Sequence, residues 1–148
     1  MADNSFLLFL HSLLRYAVLL VLAWASFVAW RGLLLRSPIL VWERMLTIVA
    51  VVLCHVQLLV GLIVYMMRFN AISTHMSGVH QRFWKYEHVA MMTFAILLVT
   101  LGRVLSKRAR NEGAKQLYIA LFFTLGLLIM LLAIPWPFTS LGEGRGWL

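Results

Sequence analysis

The chain has 148 residues, of which 63% are hydrophobic and 12% charged, and its mean hydropathy is +0.91. Soluble domains are about 45–50% apolar and about 25% charged, so this composition excludes an ordinary soluble globule and predicts a single-domain integral membrane protein. Thirteen Lys and Arg residues against five Asp and Glu residues give a formal net charge of +8. These cations lie in short gaps between apolar runs, which argues against nucleic acid as a partner and for a lipid bilayer.

Four runs are predicted to be spanning helices, because a bilayer needs about 20 apolar residues per helix. They cover about residues 6–30, 45–67, 83–103 and 117–138. The third has only a short uncharged stretch, from Val89 to Gly102, so it must begin near Phe83 to span. The fourth is apolar until two prolines stop it, at positions 135 and 137. The sequence therefore predicts an all-α membrane protein with four transmembrane helices.

The cations in the gaps predict how these helices are oriented. One side holds Arg31, Arg36, Arg44, Arg103, Lys107, Arg108, Arg110 and Lys115, and the other holds Arg68, Arg82, Lys85 and Arg145. Because excess Lys and Arg mark the cytoplasmic side, both termini and the 68–82 loop are predicted to lie outside. Short connections favour an up-down-up-down bundle. We expect no cleaved signal peptide, since Arg15 interrupts the first apolar run and no basic region precedes it.

Three histidines lie within the apolar runs, where ionisable side chains are rare and point to function. At 1.5 Å per residue, His11 and His88 each lie about 8 Å from the outer end of their helices, whereas His55 lies about 18 Å deep. Two axial ligands of one haem iron need similar depths, so His11 and His88 are the predicted metal ligands. In the predicted bundle they occupy diagonal helices. The helix ends are uncertain, so His55 stays open as a member of the pair.

Other polar side chains in these helices predict a second site. His55, Gln57 and Arg15 are expected to line it, with Arg15 either paired with Glu87 or bound to a quinone oxygen. Met92 lies one turn after His88 and is expected to contact the cofactor. The simpler interpretation is that these histidines form interhelical hydrogen bonds and that Met92 fills the core. Hydrolase and transferase chemistry have no candidate residues, and the absence of a mid-membrane carboxylate disfavours a proton-coupled exporter.

Five pieces of the sequence occur together and in order. They are His11-Ser-Leu-Leu-Arg15-Tyr, His55-Val-Gln-Leu-Leu-Val-Gly61-Leu-Ile-Val-Tyr65, Glu87-His88-Val-Ala-Met-Met92, Gly102-Arg103 and Ile134-Pro-Trp-Pro-Phe138. Together they resemble the small four-helix bacterial membrane proteins labelled cytochrome b or cytochrome b-like, over nearly the whole chain. The resemblance implies a four-helix bundle that carries haem b and serves respiratory electron transfer.

The leading interpretation is a small b-type cytochrome of the bacterial inner membrane, with one haem near the outer face. A quinol is the expected substrate, because it is amphiphilic, enters a bundle sideways and needs a proton acceptor such as neutral histidine. The alternative is a non-catalytic accessory subunit of a larger respiratory or transport complex, in which the histidines form hydrogen bonds between helices. Whether the bundle forms oligomers stays open.

Overall fold

The computed structural model describes residues 5–143, and this part of the chain is all-helical. It contains α1 (Ser5–Leu35), α2 (Val41–His75), α3 (Gly78–Arg108) and α4 (Glu112–Ala133). All four helices are long and apolar enough to cross a membrane. The prediction of an all-α protein with four candidate membrane spans is confirmed. Arg145, which entered the orientation prediction, lies outside the described residues.

The helices extend well beyond the apolar runs that predict them. The region 68–82, expected to be a loop, is mostly helical, because α2 continues to His75 and α3 already begins at Gly78. Hydropathy detects where a helix leaves the bilayer, but a helix ends only where the backbone is interrupted. Here the backbone is extended at Met76 and Ser77, and Gly78 follows with a φ of 56°, in the left-handed region that glycine adopts without strain. His75 and His80, which lie in this region, are both exposed.

The fourth helix ends at Ala133, earlier than the apolar pattern predicts. Prolines 135 and 137 have no backbone N–H, so they cannot donate to the carbonyls of Leu131 and Ala133. Two side chains donate to these carbonyls instead. Trp136 Nε1 donates to Leu131 O at 2.9 Å, and the His88 ring donates to Ala133 O at 2.9 Å. The end of α4 is thus completed by side chains from outside the helix.

Each helix of the bundle packs against two others. Helices α1 and α3 both contact α2 and α4, and the closest association is between α3 and α4. Small residues permit this close approach, since Gly102 faces Phe122 and Gly126 faces Ala95 and Val99. The largest fully buried side chains are Leu22, Cys54, Val99 and Phe123.

The outer surface of the bundle is apolar, consistent with contact with lipid tails. Large hydrophobic side chains are exposed along all four helices, including Leu20, Val52, Leu97 and Leu132. In a soluble protein such a continuous apolar surface would cause aggregation, whereas in a bilayer it needs no protein partner. The four-helix arrangement therefore fits a multi-pass membrane protein.

Candidate functional site

His88 lies where α3 changes from π-helical to α-helical geometry. The π-helical segment covers Phe83–Glu87, and the backbone N–H of His88 donates to Phe83 O. The wider turn places two aromatic rings beside the imidazole, because residues four and five positions apart align in a π-helix. The ring of Phe83 has its centroid 5.8 Å from that of His88, and the Trp84 centroid is 5.4 Å away. Insertions of this kind within α-helices occur frequently at functional sites.

The hydrogen bond to Ala133 fixes the tautomer of His88. A carbonyl oxygen only accepts, so the Nδ1 atom that lies 2.9 Å from Ala133 O must carry the proton. The second ring nitrogen, Nε2, then holds the lone pair in the neutral imidazole. Metal-ligating histidines are oriented in this way, with one nitrogen donating to a carbonyl and the other available for the metal. The arrangement depends on Pro137, which leaves Ala133 O without its usual backbone donor.

His11 packs against the backbone of α2 at Gly61. A methyl group added to Gly61 would lie 2.9 Å from His11 Cε1 and 3.4 Å from its Nδ1. The contact is reinforced by Gln57, whose Nε2 donates to His11 O at 2.9 Å. Two buried polar atoms here, His11 Nδ1 and Gln57 Oε1, have no hydrogen-bond partner among the described residues. These unsatisfied atoms lie in an otherwise apolar interior, where a bound group would supply the missing partner.

His11 on α1 interacts electrostatically with His88 on α3, and the Arg15 guanidinium interacts with both rings. The arginine also donates to Tyr16 OH at 3.1 Å and lies 6.0 Å from the centroid of the Trp136 ring. The depth estimate predicts this pairing of His11 with His88; their role as ligands stays a prediction.

The remaining predicted residues lie in different surroundings. His55 is on the exposed face of α2, where its Nδ1 donates to Val51 O of the same helix at 2.8 Å. Gln57 is two positions along the helix, so it faces α1 and not the surface that His55 faces. Met92 is partly buried against the core. Glu87, expected as a partner of Arg15, forms an ion pair with Arg82 at 2.6 Å.

Sequence reasoning missed three parts of this site. They are the aromatic pair Phe83 and Trp84, the π-helical segment that positions them, and Ala133 O as the partner of His88. The unpaired carbonyl of Ala133 could have been predicted, because prolines 135 and 137 leave two carbonyls near the end of α4 without backbone donors. Which side chain would supply the donor could not be read from the sequence, since the two positions are 45 residues apart.

Comparisons with known proteins found no matching family model, no matching curated protein and no matching solved structure. The functional interpretation therefore rests on the residues of the site. Within residues 5–143, no group of three or more His, Cys, Asp or Glu side chains is placed to hold a metal ion. A haem differs from such a metal site in needing only one or two protein ligands, because the macrocycle supplies the other four.

Proposed function

We propose that the protein is a small b-type cytochrome of the bacterial inner membrane, with one haem b held by His11 and His88 and a quinol as substrate. The observation that carries the proposal is the convergence of two imidazoles from α1 and α3 in the apolar interior, one of them already oriented by a backbone carbonyl. Imidazoles on facing helices are how bundles hold such cofactors.

Three features of the site fit a bis-histidine haem. His88 donates through Nδ1 and therefore keeps Nε2 as a ligand atom. His11 is held against Gly61, and its Nδ1 has no partner among the residues described. The rings of Phe83 and Trp84 beside His88 supply the apolar surroundings that a macrocycle needs.

We further propose that the helices run up-down-up-down with both termini on the outer side. Hydrogen bonds between neighbouring helices support the alternation. Early α1 contacts the middle of α2, where Gln57 donates to His11 O and Gly61 packs against the His11 ring. Late α2 is joined to early α3 by Tyr65, whose hydroxyl donates to Lys85 O at 3.1 Å. In α4, Ala133 at the end accepts from the beginning of α3, and Thr124 accepts from Trp30 late in α1 at 2.9 Å.

When bound, the haem would supply reversible one-electron transfer at its iron. The protein would supply ligands, a dry interior and groups that hold protons as quinol is oxidised. Gln57 Oε1, a buried acceptor without a donor in the described part of the chain, is suited to a quinol hydroxyl. Arg15 is suited to a quinone oxygen, since its guanidinium carries several donors near the two histidines.

The test is a reduced-minus-oxidised absorption spectrum of the full chain, purified in detergent after haem-replete expression. The expected result is a sharp low-spin b-haem signal at about one haem per chain, reduced more quickly when a short-chain quinol is added. A featureless spectrum in folded, helical protein would overturn the cytochrome proposal.

A second function, an accessory subunit without a cofactor, is favoured by one observation. The hydrogen bond from His88 to Ala133 O joins α3 to α4 and would stabilise the bundle without any haem. In that case the spectrum is featureless, and the purified protein carries with it the subunits of a larger respiratory or transport complex.

Adding one methyl group at Gly61 is expected to weaken haem binding. The new Cβ would lie 2.9 Å from His11 Cε1, so the ring must move away from α2 and from its ligand position. Loss of a contact that orients a metal-binding side chain usually lowers metal affinity about ten- to a hundredfold. Haem titration of the Gly61→Ala variant measures the change, and unchanged affinity with an unchanged spectrum would contradict the assignment of His11 as a ligand.

A further inference from the structure

A cleft of about 300 Å³ lies at the opposite end of the bundle from His88. All four helices contribute to it: its apolar floor includes Ala25, Ala29 and Ile119, and its basic rim holds Arg44, Arg103, Lys107 and Lys115. The cleft therefore joins an apolar interior to a cluster of four cations. It is remote from the histidines and takes no part in the function proposed above.

Most of the negative charge near the cleft is already engaged. Glu43 is buried, accepts from Arg31 Nη2 at 3.1 Å and accepts from the Leu40 N–H at 2.9 Å. Lys115 is paired with Glu112 at 2.6 Å. In the part of the chain that the structure describes, no carboxylate forms an ion pair with Arg44, Arg103 or Lys107. The rim thus carries an excess of three positive charges.

Arg103 carries part of this excess positive charge into the cleft. Its Nε atom is buried and makes no hydrogen bond to any described residue. Its charge also interacts unfavourably with that of Arg44, which approaches from α2. A buried unpaired donor and two like charges held together both disfavour the folded state. An anion with several acceptor oxygens in the cleft would relieve both.

We propose that this cleft binds the phosphate of an anionic phospholipid. Phosphate oxygens match the planar, multiple donors of Arg44 and Arg103, and Lys107 adds a third charge. The cleft lies at the ends of helices that can span a membrane, where lipid head groups are found. Its alanine and isoleucine floor suits the glycerol and first acyl carbons, which a free phosphate ion lacks.

Lipid binding to the full chain in a non-ionic detergent tests the proposal. Native mass spectrometry measures retention of dioleoylphosphatidylglycerol, of dioleoylphosphatidylcholine and of inorganic phosphate. The double variant Arg44→Gln/Arg103→Gln is compared with Arg108→Gln/Arg110→Gln, which removes the same charge from exposed positions outside the cleft. Phosphatidylglycerol is expected to bind best to the wild-type chain. Loss of two charge-assisted hydrogen bonds is expected to weaken its binding by about a hundredfold or more in the first variant only.

Three outcomes would overturn the proposal. Equal binding of phosphatidylcholine would remove the requirement for an anionic head group, and equal binding of inorganic phosphate would identify a free ion as the ligand. Equal losses in both double variants would show that net charge alone attracts the lipid. If the cleft double variant does not fold, Lys107→Gln tests the same site, because Lys107 is exposed and a several-fold loss is still expected. None of these readouts depends on haem.

Discussion

Replacing His88 with alanine is expected to abolish the b-haem spectrum while leaving a folded helical bundle. The substitution removes one of the two proposed iron ligands, and a single imidazole would leave the low-spin bis-histidine state unavailable. It also leaves Ala133 O without its donor, at a cost of about 1–3 kcal/mol for a buried unsatisfied group. The haem spectrum and circular dichroism of the same detergent preparation measure the two effects.

Three further variants, His88→Asn, His11→Ala and His55→Ala, separate ligation from hydrogen bonding. His88→Asn keeps a side-chain N–H near the position of Nδ1, so it can preserve the bond to Ala133 O, but it offers no ligand nitrogen. His55→Ala is the matched control, since that histidine is exposed and its ring donates to Val51 O of its own helix. Haem loss in His88→Asn and His11→Ala but not in His55→Ala is expected. Full haem content in His88→Asn would refute ligation by His88.

Adding a methyl group at Gly126 is expected to cause a large loss of stability. The Cβ of an alanine there would lie 2.6 Å from Val99 Cγ2 and 3.1 Å from Ala95 O, so α3 and α4 would have to separate. Overpacking of a well-packed core costs about 1–3 kcal/mol, and the main-chain oxygen cannot move aside as a flexible side chain could. Thermal unfolding in detergent should therefore show a melting temperature several degrees below that of the wild-type chain.

The matched control for this prediction is Gly113→Ala. It adds the same methyl group near the start of α4, where the nearest neighbour is Asn111 Oδ1 at 3.7 Å. In this open position the helix propensity of alanine favours the variant by up to about 1 kcal/mol. A melting temperature for Gly126→Ala equal to that of Gly113→Ala would contradict the close contact between α3 and α4.

The parts of the fold that depend on composition could be predicted, and those that depend on distant contacts could not. Four apolar runs predict four helices, because the energetic cost of unpaired backbone groups in lipid leaves few alternatives. The apolar pattern did not predict that α2 continues to His75. Beyond the bilayer, polar residues can continue a helix as well as apolar residues do. The π-helical segment Phe83–Glu87 has no counterpart in the apolar pattern, so hydropathy did not predict it.

In the candidate site, too, some features could be predicted from the sequence, and others depend on contacts between distant residues. The shared depth of His11 and His88 follows from counting residues along two helices, and the two side chains interact electrostatically. That Gln57 faces α1 while His55 faces outward follows from helical periodicity, but only once the rotation of α2 is known. Ala133 O as a partner of His88 required knowledge of which helix end lies beside α3.

The bond between His88 and Ala133 also has a consequence for the order in which the chain is made. The first three helices are synthesised before α4, so the imidazole donor of His88 enters the membrane before its carbonyl partner exists. An unpaired polar group in hydrocarbon is unfavourable by several kcal/mol, so we expect this donor to stay within reach of water or lipid head groups until α4 is in place. Insertion of α4 supplies that partner, so the histidine site is completed only at this step.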